Sequence, residues 1–262
     1  MRTFRNCLGL AAGLAFASVA AGCWASSPAE RGDFGMTEVA VFSADDGPWC
    51  VAAIDTDDPD REVLLLDYMH GVHHYALDGT YLATSVSELE TWNALDAHGL
   101  AFTGDSAAVL VGHDGAAVRM ELGDGTLAPL DMGGRTLGPA LGWDESRGVL
   151  LATPADAVTT FGAGAASTLL VLDGASGTEL GALSVEVGQI KAVTYVPDRD
   201  QLLVLGGQGA LVFVDPETGA TVGRGYGPEA AFGVAYDSET GRVLLATWSL
   251  SYRVHTYEID WH

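Results

Sequence analysis

Seven histidines are scattered along this chain, and three of them fall within five positions in "YMHGVHHYALDG", Tyr68 to Gly79. Imidazoles at that density suggest a Zn²⁺ or Cu²⁺ site. The surrounding residues, however, read as a β-strand, in which neighbouring side chains point to opposite faces. His73 and His74 therefore cannot both reach one ion. His70 and His74 share a face but stand about 13 Å apart along an extended chain, too far to chelate. His73 and His74 are expected to pack inside the fold.

A metal site would instead need ligands from separate loops. His70 precedes the strand, His98 lies in "DAHG", His113 in "GHDG", and Asp45 and Asp46 in "SADDGPWC", which also holds Cys50. If these converge, histidines with a carboxylate or thiolate suit Zn²⁺. The acidic run "DTDDPDRE", with Asp55, Asp57 and Asp58, offers oxygen ligands for Ca²⁺ but lacks the glycine and terminal glutamate of an EF-hand loop. No nucleophile elbow, H-E-x-x-H helix, phosphate loop or dinucleotide fingerprint is present.

What must position these residues is a repeat. "GLAFTGDSAAVLVG", "ALGWDESRGVLLA", "AVTYVPDRDQLLVLG" and "GVAYDSETGRVLLA" share one pattern: a short strand ending near an aromatic, a polar turn, then an apolar strand. The aromatics Phe102, Trp143, Tyr195 and Tyr236 are spaced by 41, 52 and 41 residues, and Ile54 marks a fainter copy 48 residues upstream. Third strands end in Asp before a Gly-containing turn, as in "YALDGTYLA" and "VFVDPETGATVG". Asp can bond its own backbone two residues on, and Gly supplies positive φ. Short strands repeating every 40 to 50 residues predict an all-β, five-bladed β-propeller of four-stranded antiparallel blades. The last unit lacks a fourth strand, and "TEVAVFS", Thr37 to Ser43, alternates as the strand that closes it. Helix is expected to be almost absent, with "SVSELETWNALDAHG" a loop or single turn.

In this arrangement one rim gathers the loops between blades and those between second and third strands. His70, His98, His113, Asp45 and Asp46 fall there as metal candidates. Trp49, Trp92, Arg135, Phe161, Tyr226, Trp248 and Tyr252 fall there as candidates for binding a protein partner or small ligand. The long insertion "ATPADAVTTFGAGAAS" carries Phe161.

The unit "YVPDRDQLLVLGGQGALVFVDPETGATVG" resembles quinoprotein-like and YVTN-type propeller repeats, a likeness that spans about residues 50 to 262. It implies architecture and not a quinone, since the tryptophan docking motif is not evident. The first residues carry Arg2 and Arg5, then "CLGLAAGLAFASVAA", an apolar run too short to span a bilayer. "VAAGC" resembles the lipobox of bacterial lipoproteins, which implies cleavage before Cys23 and acylation of that cysteine, with Ala20 standing where the family prefers leucine. Trp24, rather than aspartate, after the cysteine implies an outer-membrane destination in a two-membrane host.

The expected organisation is a signal peptide over 1–22, a tether over 23–36 and a propeller over 37–262. The formal net charge is −23, two units more negative once Arg2 and Arg5 leave with the signal, and Lys191 is the sole lysine. Such a field repels phosphate backbones and excludes nucleic acid as a partner. The resulting expectation is a monomeric, lipid-anchored, exported binding module without catalytic chemistry. The alternative is a metal-dependent hydrolase using the His/Asp rim, similar to propeller lactonases and phytases, with Zn or Ca.

Overall fold

The computed structural model describes residues 33–44, 51–57, 62–67, 71–86, 89–104, 106–155, 168–248 and 252–261, with only the backbone at 51–53, 57, 89 and 90. Second strands of the repeats are continuous apolar runs because both of their faces are covered. In the first blade, β2 (Val51–Asp57), β3 (Glu62–Asp67), β4 (Gly71–Ala76) and β5 (Tyr81–Ser85) pair in that order. Val63 to Leu66 of β3 are fully buried, whereas most of β5 faces solvent.

The second blade begins with a helix, α1 (Leu89–Leu95), and continues through β6 (Ala97–Phe102), β7 (Ala107–Gly112), β8 (Ala117–Glu121) and β9 (Leu127–Pro129). At seven residues that helix is longer than the loop or single turn expected of this stretch. Its Trp92 is completely buried among Leu64, Leu66, Leu100 and Leu110, which fixes the turns around it. The third blade is β10 (Leu137–Asp144), β11 (Val149–Pro154), β12 (Thr168–Asp173) and β13 (Glu179–Ser184). The fourth is β14 (Ile190–Val196), β15 (Gln201–Gly206), β16 (Ala210–Val214) and β17 (Thr221–Tyr226).

The fifth blade takes β18 (Ala231–Asp237), β19 (Arg242–Trp248) and β20 (Tyr252–Trp261) and is completed by β1 (Phe34–Ser43). The chain is thus the expected five-bladed propeller, closed by its first strand. β1 pairs antiparallel with β20 from Phe34↔Trp261 to Ser43↔Arg253. It starts three residues before the expected Thr37, so the last part of the supposed tether is strand. The reason is Phe34, buried against Phe213 and Trp261 with both ring centroids at 5.2 Å.

The innermost strands β2, β6, β10, β14 and β18 touch in ring order and return to β2. Five hydrophobic clusters, one between each pair of adjacent blades, form the core. The marker aromatics knit these interfaces: Tyr195 Oη donates to Asp200 Oδ1 and lies 3.0 Å from Ser146 Oγ, and Tyr236 Oη donates to Asp198 Oδ1 at 2.7 Å. Arg147 holds Asp200 bidentately at 2.6 and 2.9 Å and Asp144 of its own blade at 2.9 Å. A ring this small needs small residues inside. A Cβ on Gly142 of β10 would lie 2.8 Å from Val193 O of β14. Gly142→Val should therefore cost about 1–3 kcal/mol in a urea melt by overpacking.

Turns between third and fourth strands use the Asp–Gly chemistry read from the sequence. Asp78 accepts from Thr80 N, Asp124 from Thr126 N, Asp173 from Ser176 N, and Asp215 from Thr218 N, each at 2.8–2.9 Å. Hydrogen bonds from these Thr and Ser residues, side chain and backbone, hold the four carboxyls below the ordinary aspartate value of 3.8. Depressed carboxyls contribute stability that is fully present above the unfolded pKa and is lost as pH falls through the folded one. The melting temperature should accordingly be flat from pH 7 to about 5 and fall below about 4. A melting temperature that instead drops between pH 7 and 5 would count against these turns as the source.

Candidate functional site

In each blade the innermost strand starts on the face that also carries the turn between second and third strands, because successive strands are antiparallel. Each innermost strand also has an irregular register near its start. In the second blade, Ala97 pairs with Gly112 and Gly99 with Val111, so no residue of β7 stands opposite His98. A bulge of this kind re-aims the extra side chain. The same register places Lys191 in β14 and Phe232 in β18 at the equivalent bulge positions.

Three side chains converge at the second-blade bulge. Trp92 anchors α1, and the chain leaves the helix through Asp96 at φ +45°, its N–H donating to Trp92 O. A non-glycine residue in the left-handed region is uncommon, is tolerated best by Asp or Asn, and tends to mark functional sites. His113, in the turn after β7, donates its backbone N–H to Asp96 O at 3.0 Å. Gly112 beside it approaches so closely that a Cβ would lie 2.5 Å from Leu95 O. The backbone thus ties the helix end to the turn.

Oδ1 of Asp96 lies 3.4 Å from Nε2 of His98, and the two imidazole centroids are 5.2 Å apart. One ligand atom from each of Asp96, His98 and His113 lies within 4.8 Å of the others. Ligands about 2.0–2.1 Å from a tetrahedral Zn²⁺ are roughly 3.3 Å from each other. The Asp96–His98 distance already matches, and the ligand atom of exposed His113 lies within 4.8 Å of both. Two imidazoles and one carboxylate also leave a fourth position open, the pattern of catalytic rather than structural zinc.

Of the sequence candidates, His98 and His113 are brought together. Asp96, the first residue of the quoted "DAHG", completes the set and was missed; its Asp-x-His spacing was the available signal. His70, Asp45, Asp46, Trp49, Cys50 and Phe161 lie outside the described residues. Trp92, expected on the rim, is a correction: it is core, because an apolar pocket between the first two blades takes the whole indole. Arg135 is engaged with Glu179 of the next blade at 3.2 Å. Tyr226 and Trp248 are exposed, and Tyr252 stacks beside Trp248 with centroids 6.4 Å apart at 18°.

The two strand histidines do not share a ligand. His74 is buried between Glu62 Oε2 at 2.5 Å and Ser85 Oγ at 2.8 Å, while His73 contacts Thr84 Oγ1 at 2.8 Å. His255, aligned with His73 in the repeat, lies between Glu38 Oε2 at 2.6 Å and Thr247 Oγ1 at 3.0 Å. All three serve as cross-strand hydrogen-bonding groups and not as apolar packing alone. Asp55, a calcium candidate, is likewise taken up: its two oxygens accept Thr56 N–H and, across the blade interface, Phe102 N–H, both at 2.8 Å. Asp58 lies outside the described residues, as does the side chain of Asp57.

Lys191, notable in the sequence only as the sole lysine, reaches toward the fifth blade. Its Nζ donates to Ala231 O at 2.8 Å and to Glu229 O at 3.4 Å. Burial lowers its pKa, opposed by the charge of Glu229.

No family model matches the sequence, and no curated protein does either. A crystal structure of the glutaminyl cyclase of Myxococcus xanthus superposes with a TM-score of 0.60, covering 87% of this chain and 97% of that one at 14% identity. At that identity the likeness is one of fold. It nonetheless corrects the expectation of a binding module without catalytic chemistry. The architecture is one that an enzyme uses, and two of the rim's metal candidates, His98 and His113, converge with Asp96.

Proposed function

We propose that this chain is a metal-dependent enzyme acting at the carbonyl of an amide or ester, with Asp96, His98 and His113 holding a zinc-type ion. The observation that carries the reading is the convergence of those three ligand atoms on one face of the ring. A bound divalent ion would supply Lewis acidity to the substrate carbonyl oxygen. The protein's own part is to fix the ligand set: α1 and its left-handed exit set Asp96, the bulge turns His98 outward, and the Asp96–His113 backbone bond holds the third ligand in place.

The fold neighbour's name makes a glutaminyl side chain the first substrate to try. In that cyclisation the α-amino nitrogen bonds to the side-chain carbonyl carbon, the bond from that carbon to the amide nitrogen breaks, and ammonia leaves with the proton the amine gave up. Net charge narrows the choice further. A field of −23 attracts a substrate that carries an ammonium and repels a polyphosphate, which argues against the phytase-like version of the alternative. A lactone would use the same carbonyl polarisation with water as nucleophile.

Residues 1–22 are proposed as the signal peptide, and acylated Cys23 as the anchor to the envelope, the outer membrane in a two-membrane host. A Cys23→Ser variant that stayed in the membrane fraction would sink the anchoring. The enzyme itself is tested on untagged protein beginning at Trp24, by metal analysis and by ammonia release from glutaminyl peptides. About one equivalent of a transition metal is expected, lost together with turnover in His98→Ala and His113→Ala. Protein that binds no transition metal at neutral pH, or that keeps it in the double variant, overturns the reading.

A further inference from the structure

A second group of side chains lies on the same face as the Asp96–His98–His113 cluster. It occupies the fourth and fifth blades, away from the second. Lys191 and Phe232 stand at the bulge positions equivalent to His98, and so at the starts of their innermost strands. From Phe232 an aromatic path leads outward. Its ring meets Tyr252 edge-on at 6.1 Å, and Tyr252 stacks on Trp248, whose side is left 62% exposed.

Lys191 brings the chain's sole lysine ammonium to Ala231, the residue before Phe232, and bonds its carbonyl at 2.8 Å. An ammonium has three donors. Ala231 O and, more distantly, Glu229 O take two of them, and a third remains. Glu229 contributes its backbone oxygen here, while its exposed carboxylate is the nearby group that would oppose an anion. In a chain of net charge −23, one half-buried cation bonded to the carbonyl just before the first of these rings suits a ligand with a single negative group and a flat apolar one.

We infer that Lys191, Phe232, Tyr252 and Trp248 form a subsite for the carboxy-terminal end of a short peptide, the ammonium taking its free carboxylate and the rings an aromatic side chain. The inference rests on the proposed enzyme reading and deepens it. The substrate's ammonium end would lie toward the Asp96–His98–His113 cluster and its carboxylate end across the ring. The favoured substrates are then short peptides with an aromatic residue and a free C-terminus, rather than the termini of folded proteins.

The experiment is calorimetry on the full processed chain with Gly-Phe, which has no glutaminyl group and cannot be cyclised. Gly-Phe is expected to bind, and its C-terminal amide and Gly-Ala each about tenfold more weakly, about 1.4 kcal/mol. Trp248→Ala should weaken Gly-Phe by a similar factor and leave metal content unchanged. Lys191→Met should abolish the preference for the free acid over the amide. Lys191 also bridges two blades, so the acid-versus-amide comparison on unmodified protein decides even if that variant folds poorly. Equal affinity for acid and amide, or no effect of Trp248→Ala, overturns the subsite. Binding of Gly-Phe by a protein that holds no metal would sink the enzyme reading alone. Metal and turnover without the acid preference would sink the subsite alone.

Discussion

Removing residues up to Ser43 is expected to abolish cooperative unfolding. Without β1, the fifth blade has three strands and β20 becomes an open edge. The loss also uncovers Phe213 and Trp261, on which Phe34 rests, and takes away Glu38, the acceptor for His255. A ring closed by mutual contact has no stable partial form comparable to a truncated solenoid, since every blade face needs its neighbour. The truncated chain should give a broad thermal transition and bind a hydrophobic dye at room temperature. A sharp melt at an unchanged temperature would show that closure does not depend on β1. The milder Phe34→Ala should cost about 3–5 kcal/mol, the usual range for removing a buried aromatic side chain.

The largest effect of a single substitution elsewhere is expected at Trp92. Its side chain is wholly buried in the cluster between the first two blades. Trp92→Ala leaves a cavity among Leu64, Leu66, Leu100 and Leu110 and should cost about 3–5 kcal/mol in a denaturant melt. Trp248→Ala is the matched control: its side chain is 62% exposed, and its cost should fall within about 0.5 kcal/mol. Trp92 also carries function indirectly. Its carbonyl accepts the Asp96 N–H at the helix exit, so loosening α1 should weaken metal binding while leaving all three ligands in the chain. If Trp92→Ala proved as mild as Trp248→Ala, the packing of α1 described above would be wrong.

The architecture was readable because its devices are local. Apolar second strands, Asp–Gly turns and aromatic markers recur at near-constant spacing, and each is a physical requirement of one blade. The closing strand was readable from the missing partner of the last unit. Its true start at Phe34 was not, since that depends on a pocket made by Phe213 and Trp261 far along the chain. The site was half readable. His98 and His113 stood out by residue type, whereas Asp96 required a bulge and a left-handed residue that composition does not announce. Trp92 misled because an aromatic in a polar stretch reads as exposed when a short helix in fact turns it inward. Asp55 misled for the converse reason: an acidic run looks like a cation site, but a carboxylate can instead accept backbone N–H groups across a blade interface.

The pairing of β1 with β20 also sets an order of events in time. Glu38 and His255, bonded across these strands, are 217 positions apart in the chain. While the polypeptide is being made, β1 emerges well before β20 and must wait, without its partner, until the four intervening blades and most of the fifth have followed. Four blades can assemble from neighbouring segments, but the ring cannot lock before then, and such long-range pairing is slow to form. A ring that cannot lock until β20 has been made leaves β1 and β19 without the strand that joins them until then.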